Sequence, residues 1–346
     1  MMPKRKRVTL RDLAALLNVT PATISKALRD ADDISLEMRR RVKELAEEVG
    51  YQPNLLARSL VKQQSLMIGV VVPNLRISFF SEVTRGIYER ARERGYEAII
   101  MVSDEQAELE RRSLQFLSSL LVDGILIDAV PGESNTVLLR RMRDRGIPIV
   151  AYDRLIDGLT VDAVTIDDAE ASRKVVHRIY AAGKRQIAYF GPTENLYVAR
   201  RRFEGYRQGL AEVGLPFDEN LVVRCQVDVD DAERGMIDLL QRRVKVDAVV
   251  SIGGLVAFGA GRALLRSGKR IPDDVLLAEF GDNDIVARLG VPFLTVYQHP
   301  YKMGRQAVDM LLQRISAQSE TPPEHRIIPA DLLYHEIGAE YDLERP

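Results

Sequence analysis

The chain has no tryptophan, one cysteine and four histidines in 346 residues. A lone cysteine, Cys225, excludes an intramolecular disulfide. It falls in an expected strand, where a buried and inert thiol is the default. The histidines, His177, His299, His325 and His335, are scattered without metal-ligand spacing. No nucleophile sits beside a base and no acid–base pair stands out, so an enzyme is not expected. The pair Gly253-Gly254 lacks G-x-G-x-x-G spacing and any following Lys-Ser/Thr, which excludes a phosphate loop, and no cofactor is expected. No apolar run approaches the roughly 18 residues a membrane helix needs. The basic N-terminus lacks the apolar stretch of an export signal. These absences predict a soluble, cytoplasmic, non-catalytic protein.

What is present is a charge split. The net charge is only −1. Through Lys62, however, thirteen Lys and Arg face eight Asp and Glu, and the remainder carries 36 against 42. A basic head on an acidic body suits a nucleic-acid-binding module joined to something else. The tract Lys4 to Arg7 reads either as a phosphate-seeking arm or as a solubilising tail.

The head contains two short amphipathic helices within residues 9–29. Thr9 followed by Asp12 resembles a capping box, and Leu10, Leu13, Ala14 and Leu17 recur at helical spacing. Asn18 suits a left-handed helix end. Thr20 caps a second helix with Pro21 at its first position, where the missing N–H costs nothing. Ile24, Ala27 and Leu28 form its inner face. Its other face carries Pro21, Ala22, Thr23, Ser25, Lys26 and Arg29, groups that are small, hydroxylated or basic. Such a face can approach base edges closely, bond phosphates and donate to guanine. A third helix follows from Ser35 to Gly50, with Met38, Val42, Leu45, Ala46 and Val49 inward.

The stretches VTLRDLA, VTPATISKAL, VGYQPN and LARSL, at these spacings, make residues 8 to about 62 resemble the DNA-binding headpiece of the LacI/GalR family of bacterial transcription regulators. The resemblance implies that the second helix enters the major groove. Pro21, Ala22 and Lys26 match base-reading positions, and Thr9, Thr23 and Ser25 match phosphate contacts. Thr20 and Arg29 complete the DNA-facing set. Lys26 departs from the family's usual Arg and lacks its bidentate fork, so guanine discrimination is expected to soften. Residues 53–60 match a hinge helix that forms on DNA, with Asn54, Ala57 and Leu60 as its contacts. Leu60 matches a leucine that wedges into the minor groove.

From Leu66 onward, β-branched runs alternate with helical segments, which implies parallel sheets with right-handed crossovers. The pattern restarts near residue 168. Two Rossmann-like subdomains in series, behind a small all-α helix-turn-helix headpiece, match the periplasmic binding protein type 1 fold that the family shares: an α/β architecture. The expected division is residues 1–52 for the headpiece and 53–65 for the hinge. Residues 66–165 with 292–324 would form the first subdomain, and 166–291 with 325–346 the second.

In such a fold a ligand binds between the carboxyl edges of the two sheets. Asn74, Phe79 and Phe80 follow the first strand. Asp153, in AYDR, matches an acid the family uses on sugar hydroxyls, and Arg202, in RRFEGY, matches its effector-binding arginine. Gln298 follows the recrossing strand, and His299 beside it has a structural role or touches an effector. Where the family usually has Asn-Asp and GFD, this chain has Gly253-Gly254 and Glu279-Phe280-Gly281. Two polar contacts are therefore expected to be missing, with Asp282 a substitute for one.

The sequence thus predicts a homodimeric, allosteric DNA-binding regulator, a repressor of a pseudopalindromic double-stranded operator, switched by a small carbohydrate-like effector. The rivals are control by a protein partner or an atypical ligand, and a plain solute-binding protein. The residues after Ile337 lack leucine heptads, so a dimer without a tetramer-forming tail is expected. If Leu60 wedges into the operator, Leu60→Gly will weaken operator binding and leave the effector domain folded. Unchanged operator affinity in a gel-shift series would contradict that role.

Overall fold

A computed structural model describes residues 8–51, 64–281, 284–317 and 321–336. The chain divides into two compact units, residues 1–65 and 66–346.

The first unit is three helices, α1 (Leu10–Leu17), α2 (Pro21–Ala27) and α3 (Leu36–Glu48). The capping box at Thr9 forms: Thr9 N–H donates to Asp12 Oδ2 at 2.8 Å and Asp12 N–H returns to Thr9 Oγ1 at 3.3 Å. Asn18 ends α1 in the left-handed conformation with φ 53°. Thr20 caps α2, accepting from Thr23 N–H at 3.1 Å. The core is what the helical spacing implied: Leu13, Ala14, Ile24, Ala27, Val42 and Ala46 are buried together. So small a core stabilises only a marginal domain, and the caps contribute a large share.

The second unit holds two six-stranded sheets. The first is built from β1 (Met67–Val72), β2 (Glu97–Val102), β3 (Gly124–Ile127), β4 (Ile149–Tyr152), β5 (Asp162–Ile166) and β11 (His325–Ile328), in the order β11-β5-β4-β3-β1-β2. The second is built from β6 (Ile187–Phe190), β7 (Val222–Val223), β8 (Ala248–Ser251), β9 (Leu276–Gly281), β10 (Phe293–Tyr297) and β12 (Asp331–His335), in the order β12-β10-β9-β8-β6-β7. The helices are α4 (Ser78–Glu93), α5 (Ala107–Ser119), α6 (Thr136–Asp144), α7 (Asp168–Ala181), α8 (Tyr197–Glu212), α9 (Val229–Gln241), α10 (Gly254–Arg266), α11 (Asp284–Ala287) and α12 (Pro300–Ser316). All pairings are parallel except β10 with β12.

Two strands sit in the opposite lobe from the one expected. β10, within the span assigned to the first subdomain, pairs with β9 in the second sheet. β11, assigned to the second, pairs with β5 in the first. The chain therefore changes lobes one element later at the second and third crossings, while the first falls where expected, and the crossovers are very short: Asp167, Gln298-His299 and Pro329-Ala330. The expected strand around Cys225 also shrinks to Val222–Val223, and Cys225 is a buried free thiol beyond it. Burial pushes its pKa up to about 12, which leaves it unreactive.

Close helix pairs brace each lobe. α4 packs on α12 in the first, and α7 on α8 in the second. Glycines allow the approach. A Cβ on Gly304 of α12 would lie 2.2 Å from the Val83 carbonyl oxygen of α4, and one on Gly205 of α8 would lie 2.0 Å from the Ala169 carbonyl oxygen of α7. Backbone cannot yield as a side-chain tip does, so the helices must separate. Gly304→Ala is expected to cost about 1–3 kcal/mol, seen as a lower midpoint of urea unfolding; an unchanged midpoint would show that the helices slide freely.

Candidate functional site

The headpiece exposes Pro21, Ala22 and Lys26 on α2 and Arg29 just past its end, with Thr23 and Ser25 half-buried. Several of these side chains already have partners. The Thr23 hydroxyl lies 2.9 Å from that of Thr20, and the Thr9 hydroxyl donates to Asp12 at 2.8 Å. Arg29 Nε donates to the Ser25 carbonyl oxygen at 3.0 Å. Lys26 forms an ion pair with Asp33, in the loop before α3. Asn54, Ala57, Leu60, the basic tract at residues 4–7 and Asp282 lie outside the described residues, as do residues 337–346.

In the second unit the carboxyl ends of both sheets converge on a buried polar cluster. Arg202, on α8, is 5 % exposed. Its Nε donates to Asp168 Oδ1 at 2.7 Å, one terminal nitrogen to the Ile252 carbonyl oxygen at 2.6 Å, and the other to Gln298 Oε1 at 2.9 Å. Its guanidinium carbon sits 4.1 Å from the centre of the Phe280 ring. Asp168 follows the first crossover and Gln298 lies on the second. One side chain thus ties two of the three interlobe segments. The third is tied to the second: His299 Nε2 lies 2.7 Å from Asp331 Oδ2, just past Pro329-Ala330, and within the first sheet Thr165 Oγ1 lies 2.9 Å from His325 Nε2. His299 is therefore held in the hinge by Asp331, in keeping with a structural role.

A second buried cation faces this cluster. Arg154 follows β4 and holds Glu105 with two bonds of 2.8 and 2.9 Å. Its Nε edge lies 3.3 Å from Asp128 and 3.8 Å from Asp153. Asp128 directly follows β3 and has no exposed surface. Neither of its oxygens has a hydrogen-bond donor, because Arg154 Nε is close but badly angled. Burial pushes the Asp128 carboxyl well above the usual range and also raises Asp153. Burial raises Asp168 to about 6, with Arg202 opposing the shift.

Of the residues expected around the cleft, Asp153, Arg202 and Gln298 come together. Phe79 and Phe80 pack edge to face at 5.3 Å in the core, and Phe80 lies beneath Arg154 at 5.9 Å. Asn74 instead folds its own turn, its Oδ1 accepting from Arg76 and Ile77 N–H, both at 3.1 Å. Asp128, Arg154 and Asp168 were not anticipated. Asp128 was within reach of the strand-end rule that found Asp153.

Of these glycines, Gly281 is explained by Glu279. A Cβ on Gly281 would lie 2.6 Å from Glu279 Oε2, and one on Gly254 3.6 Å from it. The other oxygen accepts from the Thr295 hydroxyl. A buried carboxylate from β9 thus fills the space that a side chain at 281 would need, whereas Gly254 is crowded by Ile285 Cγ2, 3.1 Å from its Cβ position. The second lobe keeps a polar group there, supplied from the strand and not from the loops.

The family models for "Periplasmic binding proteins and sugar binding domain of LacI family" and "Bacterial regulatory proteins, lacI family" match residues 65–336 and 9–54. The chain belongs to the LacI family. It is a DNA-binding transcription regulator with a helix-turn-helix headpiece and a periplasmic-binding-protein-like body. It is similar to the regulator CelR of Thermobifida fusca, 29 % identical over 97 % of this chain and 100 % of that one. Similar too are the ribose operon repressor of Halalkalibacterium halodurans, 29 % identical over 89 % and 90 %, and the repressor CytR of Escherichia coli, 28 % identical over 90 % of each. Among solved structures, a CelR–cellobiose complex matches with TM-score 0.72 at 27 % identity over 96 % and 100 % of the chains. A lac repressor dimer bound to operator matches in fold with TM-score 0.84 at 24 % identity over 95 % and 98 %. These named relatives of the LacI family are regulators, not enzymes. No helix among the described residues is long and apolar enough to cross a membrane.

Asp128 gives a test of the cleft's electrostatics. Its carboxyl has a higher pKa folded than unfolded, so it takes up a proton on folding. The stability it contributes is fully present below the unfolded value, near 4, and is lost as pH rises through the folded one. Arg154 opposes that shift, and Asp153, Glu105 and Glu110 reinforce it. Asp128→Asn is therefore expected to gain stability over the parent progressively as pH rises above the unfolded value, in urea titrations at each pH. A difference that does not change with pH would refute the assignment.

Proposed function

We propose that this regulator is a cytoplasmic homodimer, with no enzymatic activity, that represses from a pseudopalindromic operator and is switched by a carbohydrate-like effector in the cleft between the sheets. The observation that supports the effector site is the orphaned Asp128 beside Asp153. A buried acid with no hydrogen-bond partner is costly in either protonation state, and the hydroxyls of a polyol can donate to it or accept from it. The cellobiose held by CelR is a ligand of that kind. Arg202 and Gln298 would grip the effector from the hinge, with Phe79 and Phe80 beneath it and Asn74 and Asp282 at the rim. Because Arg202 also bonds the crossovers, an effector that recruits its donors changes the hinge. It alters operator affinity only by its difference in binding free energy between two arrangements of the lobes.

On DNA, we assign Pro21, Ala22 and Lys26 to base edges, and Thr9, Thr20, Thr23, Ser25 and Arg29 to the backbone. Asn54, Ala57 and Leu60 would act at the operator centre. The dimer reading draws on β2, an edge strand with exposed Ile100 and Val102. It is flanked by exposed Tyr88 of α4 and Phe116 of α5. A second copy would cover this apolar edge, which is otherwise an aggregation hazard.

Calorimetry with cellobiose, ribose and a wider set of neutral sugars is expected to show heat with one compound. Asp153→Asn should then weaken its binding about tenfold, the loss of one charge-assisted hydrogen bond. Silence with every sugar would overturn the carbohydrate reading and favour control by a protein partner.

A further inference from the structure

We propose that Asp33 is a specificity gate for the DNA-reading helix, holding Lys26 back from DNA that offers no better acceptor. The inference rests on the assignment of Lys26 to base edges. Lys26 stands on the exposed face of α2, and Asp33 sits in the loop between α2 and α3. Their side chains form an ion pair while remaining 48 % and 55 % exposed. The hydrogen bond from Lys26 holds the Asp33 carboxyl below its usual range.

Asp33 is not a dangling acid. The loop that carries it is fixed at both ends. Lys43 of α3 grips Asp30 at 2.6 and 2.8 Å, Arg39 Nε donates to the Ile34 carbonyl oxygen at 2.8 Å, and Ala31 N–H donates back to the Lys26 carbonyl oxygen at 3.1 Å. The carboxylate is thus positioned before any DNA arrives. The lysine, by contrast, is a compact charge on a flexible stem that can exchange one acceptor for another.

An exposed pair of this kind is worth little, a factor of about two to five in an equilibrium. That is enough to compete with a single phosphate contact in screened solution. It is not enough to compete with guanine N7 and O6 presented together in a docked groove. On arbitrary sequence Lys26 therefore stays with Asp33, and one phosphate contact is not made. On the operator it swings to the base edge. The carboxylate lowers non-specific affinity more than specific affinity, which is discrimination by penalising the wrong partner.

The test uses the full-length protein, a random-sequence duplex, and an operator selected from a random library with the parent protein. Asp33→Asn should bind the random duplex about two- to fivefold more tightly. Its slope of log affinity against log salt should steepen by about 0.9, the signature of one added phosphate contact. The operator slope should stay unchanged, and the specificity ratio should fall. Asp33→Glu should retain the parent behaviour. In a Lys26→Ala background, Asp33→Asn should leave the slope alone. An unchanged slope in Asp33→Asn, or the same change without Lys26, would overturn the gate, the latter pointing to general repulsion of DNA. Should Lys26→Ala alone bind both duplexes as the parent does, the assignment of Lys26 itself fails.

Discussion

The second unit depends on keeping one buried guanidinium satisfied. Arg202 is almost fully removed from water, and an ionised group in that position is tolerated only when its donors are met. Asp168, the Ile252 carbonyl and Gln298 meet them, and Phe280 covers the remaining face. These partners sit on the first crossover's exit, at the end of β8, on the second crossover and near the end of β9. A single charge therefore fixes how the strand ends of one sheet meet the hinge. Three of its five N–H groups are used this way, so a ligand bonding the terminal nitrogens shares them with the Ile252 carbonyl and Gln298. This gives a physical meaning to coupling between the cleft and the hinge, because the same donors serve both.

The headpiece follows a different logic. Its core is small, and its order comes from caps and short-range bonds: the Thr9–Asp12 box, Thr20 over Thr23, and Asn18 in the left-handed region. Many of the groups assigned to DNA are already engaged within the unit. Phosphates and base edges must replace those internal partners. Binding is then an exchange of acceptors, and its strength is a difference between two sets of contacts, not the sum of one.

Much of this architecture was legible in the sequence, and the reasons differ by element. Helices and strands of the second unit showed because burial imposes their periodicity locally. The lobe membership of β10 and β11 did not show. Both are short β-branched or aromatic runs of the same texture, and which sheet accepts them depends on the partner strand, not on their own residues. In the cleft, Asp153, Arg202 and Gln298 were visible through resemblance at strand ends. Arg154 was hidden beside Asp153, and Asp168 passed for an ordinary acidic helix start. Glu279 was visible only as a departure from pattern, because nothing local reveals that a mid-strand carboxylate reaches the space above two loops.

The arrangement of Glu279 with Gly281 constrains how this lineage can change. A side chain restored at position 281 would collide with the carboxylate, and removing the carboxylate first would leave a void and an unbonded Thr295 hydroxyl. The two positions are therefore coupled: what position 281 tolerates depends on how far the Glu279 carboxylate turns aside. A survey of single variants records each position against one fixed neighbour and misses that dependence.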